Sequence, residues 1–237
     1  MSAVDRMLIC GGDEAGRGAV LGPLVVAIVA IKKSSTRRLT DIGVRDSKLL
    51  TRRRRENLYD MIKKIAVDVK VSKINPNEIN DAMRRGISLN ELEAVHFAKL
   101  FNAIKNDINV LYLDSPDVVA EKFGMRVNIS SEKPTRIIGM TGRPVKGTKY
   151  TKIVAQHKAD SIYPVVSAAS IIAKVERDWE IDKIARELGL DIGSGYPADS
   201  YTINAIKENM KSQALRQHIR EHWRTMNEIK QTRLVNF

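Results

Sequence analysis

Two carboxylates, Asp13 and Glu14, stand at the end of the apolar run Met7–Leu8–Ile9–Cys10–Gly11–Gly12 and are followed at once by Ala15–Gly16–Arg17–Gly18. An apolar run of this length reads as a buried strand. A side chain at the end of such a strand reaches the open edge of a sheet, where α/β proteins bind ligands. The glycines have no Cβ, so the backbone around Arg17 can approach a phosphate or a sugar closely. The pattern recurs, because Val110–Leu111–Tyr112–Leu113 is a second short apolar run and it ends on Asp114. If the two strands are parallel and adjacent, as an intervening helix allows, Asp13 and Asp114 stand side by side. A further acid, Asp160, lies just ahead of a long helical stretch. There a carboxylate either caps helix amides or joins the others. Oxygen donors of this kind suit Mg2+ or Mn2+, and the sequence offers no Cys/His spacing for zinc. Two such ions about 3.5–4 Å apart activate a water and stabilise the leaving oxygen in phosphodiester cleavage.

The elements that must position these acids can be read from periodicity. Leu24 to Ile31 is a continuous apolar run, a second strand buried on both faces. A turn-rich basic stretch, Lys32 to Arg38, follows it. Glu56 to Ala66 has the helical spacing, Val67 to Val71 alternates as a half-exposed strand does, and Asn75–Pro76 marks a helix start. Asn90 to Ile104 is a helix with a broad apolar face, on which His96 stands at the core edge or the surface. Ser130 to Lys158 reads as a polar, basic connection carrying Arg136, Arg143, Lys146, Lys149 and Lys152, either a phosphate-facing loop or hairpin region or a solvated surface loop. From Val165 to Leu190 a long helix places Ala168, Ala169, Ile172, Val175 and Trp179 toward a core, and Gly193–Ser194–Gly195 ends the region. Pro197 to Phe237 is basic and helical in period; within it His218 and His222 share one face of a solvated helix that Trp223 anchors.

Charge narrows the partner class. Lys and Arg total 40 against 28 Asp and Glu, a net +12, the footprint of a phosphate binder. Such an excess speeds association with phosphate backbones without specifying a sequence. At 237 residues, 43% hydrophobic and 29% charged, the chain is globular and long enough for one sizeable core and a small second domain. The most apolar stretch, Ala19 to Ile31, is short and broken by Gly22 and Pro23, so no membrane span is expected. The N-terminus lacks a secretory pattern, and the single Cys10, a buried apolar residue in the first strand, excludes an internal disulfide. A cytoplasmic or other reducing location follows.

Taken together the motifs resemble type 2 ribonuclease H, also called ribonuclease HII, most nearly its archaeal form. Gly12–Asp13–Glu14–Ala15–Gly16–Arg17–Gly18 is similar to the family's first acidic motif with its GRG loop, and Arg45–Asp46–Ser47–Lys48 to its DSK motif. Leu113–Asp114–Ser115, the segment from His157 to Asp178, and Gly193–Ser194–Gly195–Tyr196–Pro197 match in order and spacing, so the likeness spans nearly the whole chain. Gly12 departs from it, since an apolar residue is usual there. The resemblance implies an α/β fold, a ribonuclease H-like mixed sheet flanked by helices, with a catalytic domain over 1–192 and a C-terminal helical region over 193–237. It implies an endonuclease, acting as a monomer, that cuts the RNA strand of RNA–DNA hybrids and incises duplex DNA at embedded ribonucleotides, leaving 3′-hydroxyl and 5′-phosphate ends. Asp13, Glu14, Asp114 and Asp160 would then hold the divalent ions, Mg2+ or Mn2+. Gly16, Arg17 and Gly18 would read the 2′-hydroxyl, the group that tells RNA from DNA. Tyr196 would share that hydroxyl and stack on the neighbouring sugar, Ser47 and Lys48 would contact phosphate, and Tyr163 is structural.

Two rival readings remain open at this point. The same acids serve other two-metal phosphodiesterases or strand-transfer enzymes, although a DNA-only enzyme needs no reader of the 2′-hydroxyl. A non-enzymatic nucleic-acid-binding module would keep the acids for structure. At the C-terminus, Gln231, Leu234 and Phe237 fit the spacing Q-x-x-L-x-x-F, which resembles the peptide by which replication and repair proteins bind the sliding clamp. The alternative for this tail is the frayed end of an amphipathic helix.

Overall fold

A computed structural model of the chain describes residues 7–44, 50–137 and 150–235. The motif residues Ser47 and Lys48, the basic residues Arg143, Lys146 and Lys149, the side chain of Leu234 and all of Phe237 lie outside the described set. By contacts the chain divides into two compact units, one made of Met1–Glu14, Val26–Ser72 and Asn90–Val175, the other of Ala15–Val25, Lys73–Leu89 and Glu176–Phe237.

The first unit is organised by a mixed sheet of six strands in the order β3-β2-β1-β4-β6-β5. Strand β1 is Leu8–Ala15, β2 Leu24–Lys32, β3 Asp68–Ile74, β4 Val110–Asp114, β5 Thr135–Ile137 and β6 Thr151–Gln156. β1 and β4 are parallel, with Ile9 opposite Val110 and Gly12 opposite Leu113. β4 and β6 are parallel too, as are β6 and β5. Every residue of β2 except Lys32 is buried, as its continuous apolar sequence requires.

Helices α1 (Thr36–Asp41), α2 (Arg52–Ile65), α4 (Leu89–Asn102), α5 (Ala120–Ser130) and α6 (Ala159–Ile162) belong to this unit, as does the first part of α7 (Pro164–Leu188). Helix α2 begins four residues before the periodicity indicates, because Thr51 accepts a hydrogen bond from Arg54 N at 3.3 Å and caps it. The basic stretch after β2 is helical, a short 3-10 turn at Lys33–Ser35 running into α1. His96 is buried in α4 with its Nδ1 2.8 Å from Ser72 Oγ, and Phe97 meets Phe123 edge to face at 5.8 Å. Cys10 is fully buried, and burial pushes its thiol far up, out of reach of ordinary thiolate chemistry.

The second unit has its own core of Val20, Leu21, Ile181, Ile184, Ile206 and Ile219, joined by Leu215, Met226 and Ile229. Its helices are α3 (Pro76–Arg84), the second part of α7, α8 (Ser200–Glu208), α9 (Gln213–Arg216) and α10 (Arg224–Val235). Asn75 caps α3 by accepting from Glu78 N at 3.0 Å, and Pro76 takes the first turn, the start that Asn75–Pro76 indicates. Trp223 packs partly buried against the core.

Three expectations are corrected. The stretch Ser130 to Lys158 is not merely a connection, since it supplies β5 and β6, and β6 is β4's direct neighbour. Trp179 is 40% exposed and does not face the core. His218 and His222 lie in turns between α9 and α10, not on one helix.

Gly11 and Gly12 show why β1 carries glycines. A Cβ on Gly11 would lie 2.4 Å from the backbone of Val165, so helix α7 can pass the strand only where no side chain intervenes. At Gly12 the space an apolar residue would use is taken by Leu113 and Phe97, 2.7 and 2.9 Å from the position of a Cβ. Gly11→Ala should therefore destabilise the chain by about 3 kcal/mol, read as a lowered midpoint in urea unfolding. A midpoint within error of the parent would show that α7 yields without cost.

Candidate active site

Asp13 and Asp114 stand side by side at the end of the β1/β4 pair. One step beyond the register pair of Gly12 and Leu113, the two strands carry Asp13 and Asp114. β1 does not stop at its last apolar residue but continues through Asp13, Glu14 and Ala15, so both acids of that pair stand on a rigid strand and not on the loop after it. Asp13 is 4% exposed. Its Oδ1 accepts from Glu14 N at 2.8 Å, and its carboxylate is bonded to the Ser170 hydroxyl on α7. Asp114 is oriented by Ala159 N, which donates to its Oδ1 at 2.8 Å.

The turn that brings Ala159 there is built on Lys158, the one non-glycine residue with positive φ (54°) among the described residues. A lysine in the left-handed region costs about 1 kcal/mol. It serves to start α6 directly after β6, with Ser161 Oγ donating to the Lys158 carbonyl at 2.8 Å. Asp160 is thereby placed, buried, in the first turn of α6. It lines a cleft of about 380 Å3 with Thr40, Val44, Ser161, Pro164 and Ser167. Asp13, Glu14 and Asp114 are not among that cleft's walls.

Electrostatics couple Asp13 to Glu14 and Asp114. Burial, then the charge of Glu14 and further that of Asp114, hold the Asp13 carboxyl well above the usual carboxylate range, with the Ser170 hydroxyl opposing them. Like charges forced together in a dry site are the condition a cation relieves. The donors, all carboxylate oxygens, fit Mg2+ or Mn2+ in kind. Among the described residues, however, no group of three or more His, Cys, Asp or Glu side chains is gathered closely enough to hold one ion in the positions shown.

The second unit contains the glycine loop and the Tyr196 loop. Leu21 bridges antiparallel to Ile219, and Val20 N and Leu21 N both donate to the Gly195 carbonyl, at 2.9 and 3.1 Å. Thr202 Oγ1 accepts from Gly195 N at 2.9 Å and donates to the Ile192 carbonyl at 2.8 Å. Asp199 accepts from Ser194 N and Tyr201 N, and those amides hold its carboxyl below the usual range. Gly18 is exposed and Arg17 half-buried; Gly16 holds φ at +86°. Tyr196 is 37% exposed.

Two arginines that sequence patterning did not single out hold these loops. Arg220, fully buried, donates from Nε and Nη2 to the Gly22 carbonyl at 3.1 and 3.0 Å and from Nη1 to the Arg17 carbonyl at 3.0 Å. Burial and the nearby Arg177 push it down to about 9, so it keeps its charge at neutral pH. Arg177, 4% exposed, lies on α7 with its guanidinium carbon 4.5 Å from the centre of the Tyr196 ring. Tyr163 has a structural place, stacked on Tyr112 at 4.2 Å with its hydroxyl donating to Gln156 Oε1. Gln231 is exposed on α10.

The ribonuclease HII family model matches residues 10–226. Ribonuclease HII of Pyrococcus abyssi is 44% identical over 202 residues, which cover 85% of this chain and 81% of the relative. The crystal structure of ribonuclease H2 from Pyrococcus horikoshii OT3 superposes with a TM-score of 0.80 at 37% identity, covering 95% of this chain and 98% of that one. The PCNA:RNase HII complex from Archaeoglobus fulgidus gives a TM-score of 0.77 at 36% identity, covering 97% and 100%.

The raised Asp13 carboxyl has a measurable sign. The folded chain keeps this proton over a pH range in which the unfolded chain, with an ordinary value of about 3.9, has lost it. The stability so conferred is complete below that ordinary value and is lost as pH rises through the folded one. Asparagine cannot ionise. In EDTA at pH 7, Asp13→Asn should therefore unfold at a higher temperature than the parent, the gap closing as pH falls toward about 4. An equal or lower midpoint at pH 7 would contradict the charge repulsion described for this site.

Proposed function

The chain belongs to the ribonuclease HII family and is a nuclease of the ribonuclease H type, acting on RNA–DNA hybrids, and on that premise we propose that it also incises duplex DNA at single embedded ribonucleotides by two-metal-ion catalysis. The observation that carries this reading is the juxtaposition of Asp13 and Asp114 on adjacent parallel strands, with Asp13 held protonation-prone by burial and then by its acidic neighbours. Asp13, Glu14, Asp114 and Asp160 would hold Mg2+ or Mn2+. When bound, the ions supply an activated water and neutralise charge on the leaving oxygen, which ends cleavage in a 3′-hydroxyl and a 5′-phosphate.

The protein's own residues do the rest. Ala159 N fixes the rotation of Asp114, and the bond from Ser170 fixes that of Asp13, so neither carboxylate has to be ordered when substrate arrives. Gly16, Arg17 and Gly18 would meet the 2′-hydroxyl through backbone, and Gly18 has nothing within 4 Å of where its Cβ would be, leaving room for a sugar. Tyr196, exposed over the Arg177 guanidinium, would stack on the neighbouring sugar. Ser47 and Lys48 would contact phosphate, and the net +12 of the chain favours approach of any duplex.

Asp114→Asn keeps the shape of the side chain and removes an anionic ligand. It should lower cleavage of a duplex carrying one ribonucleotide by at least about 10³-fold in Mg2+ and in Mn2+, with duplex binding retained. Substantial Mg2+-dependent cutting by this folded variant would end the two-metal assignment.

We further propose that the C-terminal tail binds a sliding clamp. The relative from Archaeoglobus fulgidus forms a complex with PCNA, and Gln231, Leu234 and Phe237 have the spacing of a clamp-binding peptide. Deleting residues 231–237, beyond the last core residue Ile229, should abolish clamp binding in a calorimetric titration and leave clamp-free cleavage at the parental rate. Undiminished binding by the truncated chain would reduce the tail to a helix end.

A further inference from the structure

Arg177 lies where the two loops of the second unit close. Its guanidinium faces the Tyr196 ring at 4.5 Å, and its Nη2 donates to the Ser194 carbonyl at 2.8 Å. On the glycine loop, a Cβ at Gly16 would fall 2.3 Å from Arg177 Nε and 2.5 Å from its Cδ. A Cβ at Gly195 would fall 2.9 Å from Nη2. Both glycines hold positive φ, +86° and +81°, so each loop turns tightly against the same side chain. The Nε of Arg177 has no hydrogen-bond partner among the described residues.

An arginine is a costly filler for such a place. Its charge loses hydration and one N–H goes unpaired, whereas an aliphatic side chain of similar length would fill the space without either penalty. What only the guanidinium provides is a flat cationic face for an aromatic ring and a donor edge at right angles to it. Here the guanidinium carbon lies over the Tyr196 ring and Nη2 meets the carbonyl of Ser194, two residues earlier in the same loop.

We propose that Arg177 is a specificity-determining positioning residue, which acts on ribonucleotide recognition through Tyr196 by fixing the face of that ring and the backbone of the loop that carries it. The inference rests on the reading of Tyr196 as the residue that stacks on the sugar. Arg177 itself touches no substrate. Its effect appears in how productively a bound ribonucleotide sits, not in how tightly a duplex is held.

A double-mutant cycle separates the two ideas. Single-turnover cleavage of a duplex with one ribonucleotide is measured for the parent, Arg177→Lys, Tyr196→Ala and the double variant. Lysine keeps charge and stem but has neither plane nor fork. Arg177→Lys should cut about tenfold more slowly, with affinity for all-DNA duplex within about twofold of the parent, and the double variant should be no slower than Tyr196→Ala alone. Losses that multiply in the double variant would overturn the proposal while leaving Tyr196 in its place. Parental cleavage by Tyr196→Ala would instead remove the reading of Tyr196 itself.

Arg177→Met repeats the cycle should Arg177→Lys fail to reach the parental unfolding midpoint. A measurement that needs no change at Arg177 stands beside it. The Arg177 Nε proton should be shifted upfield by the ring in the parent and in Tyr196→Phe, and should move downfield in Tyr196→Leu. An unchanged resonance would show that the ring and the guanidinium are not in contact, and the proposal would fall.

Discussion

Parallel pairing of β1 with β4 brings two strands that are about a hundred residues apart in sequence into one register, and each carries an acid one step beyond the last registered pair. The register from Ile9 opposite Val110 to Gly12 opposite Leu113 leaves no freedom in where Asp13 and Asp114 emerge. β6 extends the same logic, since its parallel pairing with β4 runs to Gln156 opposite Asp114 and the next turn delivers Asp160. Repulsion among carboxylates is thus imposed by backbone hydrogen bonds, which are stronger in sum than the repulsion they enforce. The glycines of β1 belong to the same constraint, because α7, which carries Ser170 to Asp13, can approach the strand only over Gly11.

The second unit solves a different problem, that of holding loops with little regular structure. Its devices are buried donors aimed at carbonyls: Arg220 on Gly22 and Arg17, Arg177 on Ser194, Asn80 on Ile219. Each substitutes one side chain for the ladder of bonds a sheet would provide. The two arginines are worth more for the shape they impose than for stability, since buried charges return little net energy.

Much of this architecture is legible in the sequence because it rests on local pattern. The apolar runs of β1, β2 and β4, the period of α4 and α7, and the cap at Asn75 each declare themselves within about ten residues. The acids are visible because they interrupt those runs. β6 is not visible, because Lys152 and the polar residues around Ile153 and Val154 mask its alternation, and short strands signal weakly. Trp179 satisfies the helical spacing and still faces outward, for spacing alone does not say where the core ends. Arg177 and Arg220 are illegible for a plainer reason. Their partners lie up to 203 residues away in sequence, and no local pattern encodes a bond of that span.

The order of the sheet also has a consequence in time. The strand made first, β1, lies inside the sheet, and Leu8 N donates to Asn109, a residue 101 positions later. At a synthesis rate of about 5–20 residues per second, some 5–20 s pass before β4 exists to pair with it. Throughout that interval the edge of β1 that will face β4 is an unpaired template beside β2, which is apolar up to Lys32. Between ribosome and finished fold, the vulnerable period of this chain is therefore set by the speed of translation, and the same central strand that aligns Asp13 with Asp114 is the one most exposed to mispairing while the protein is being made.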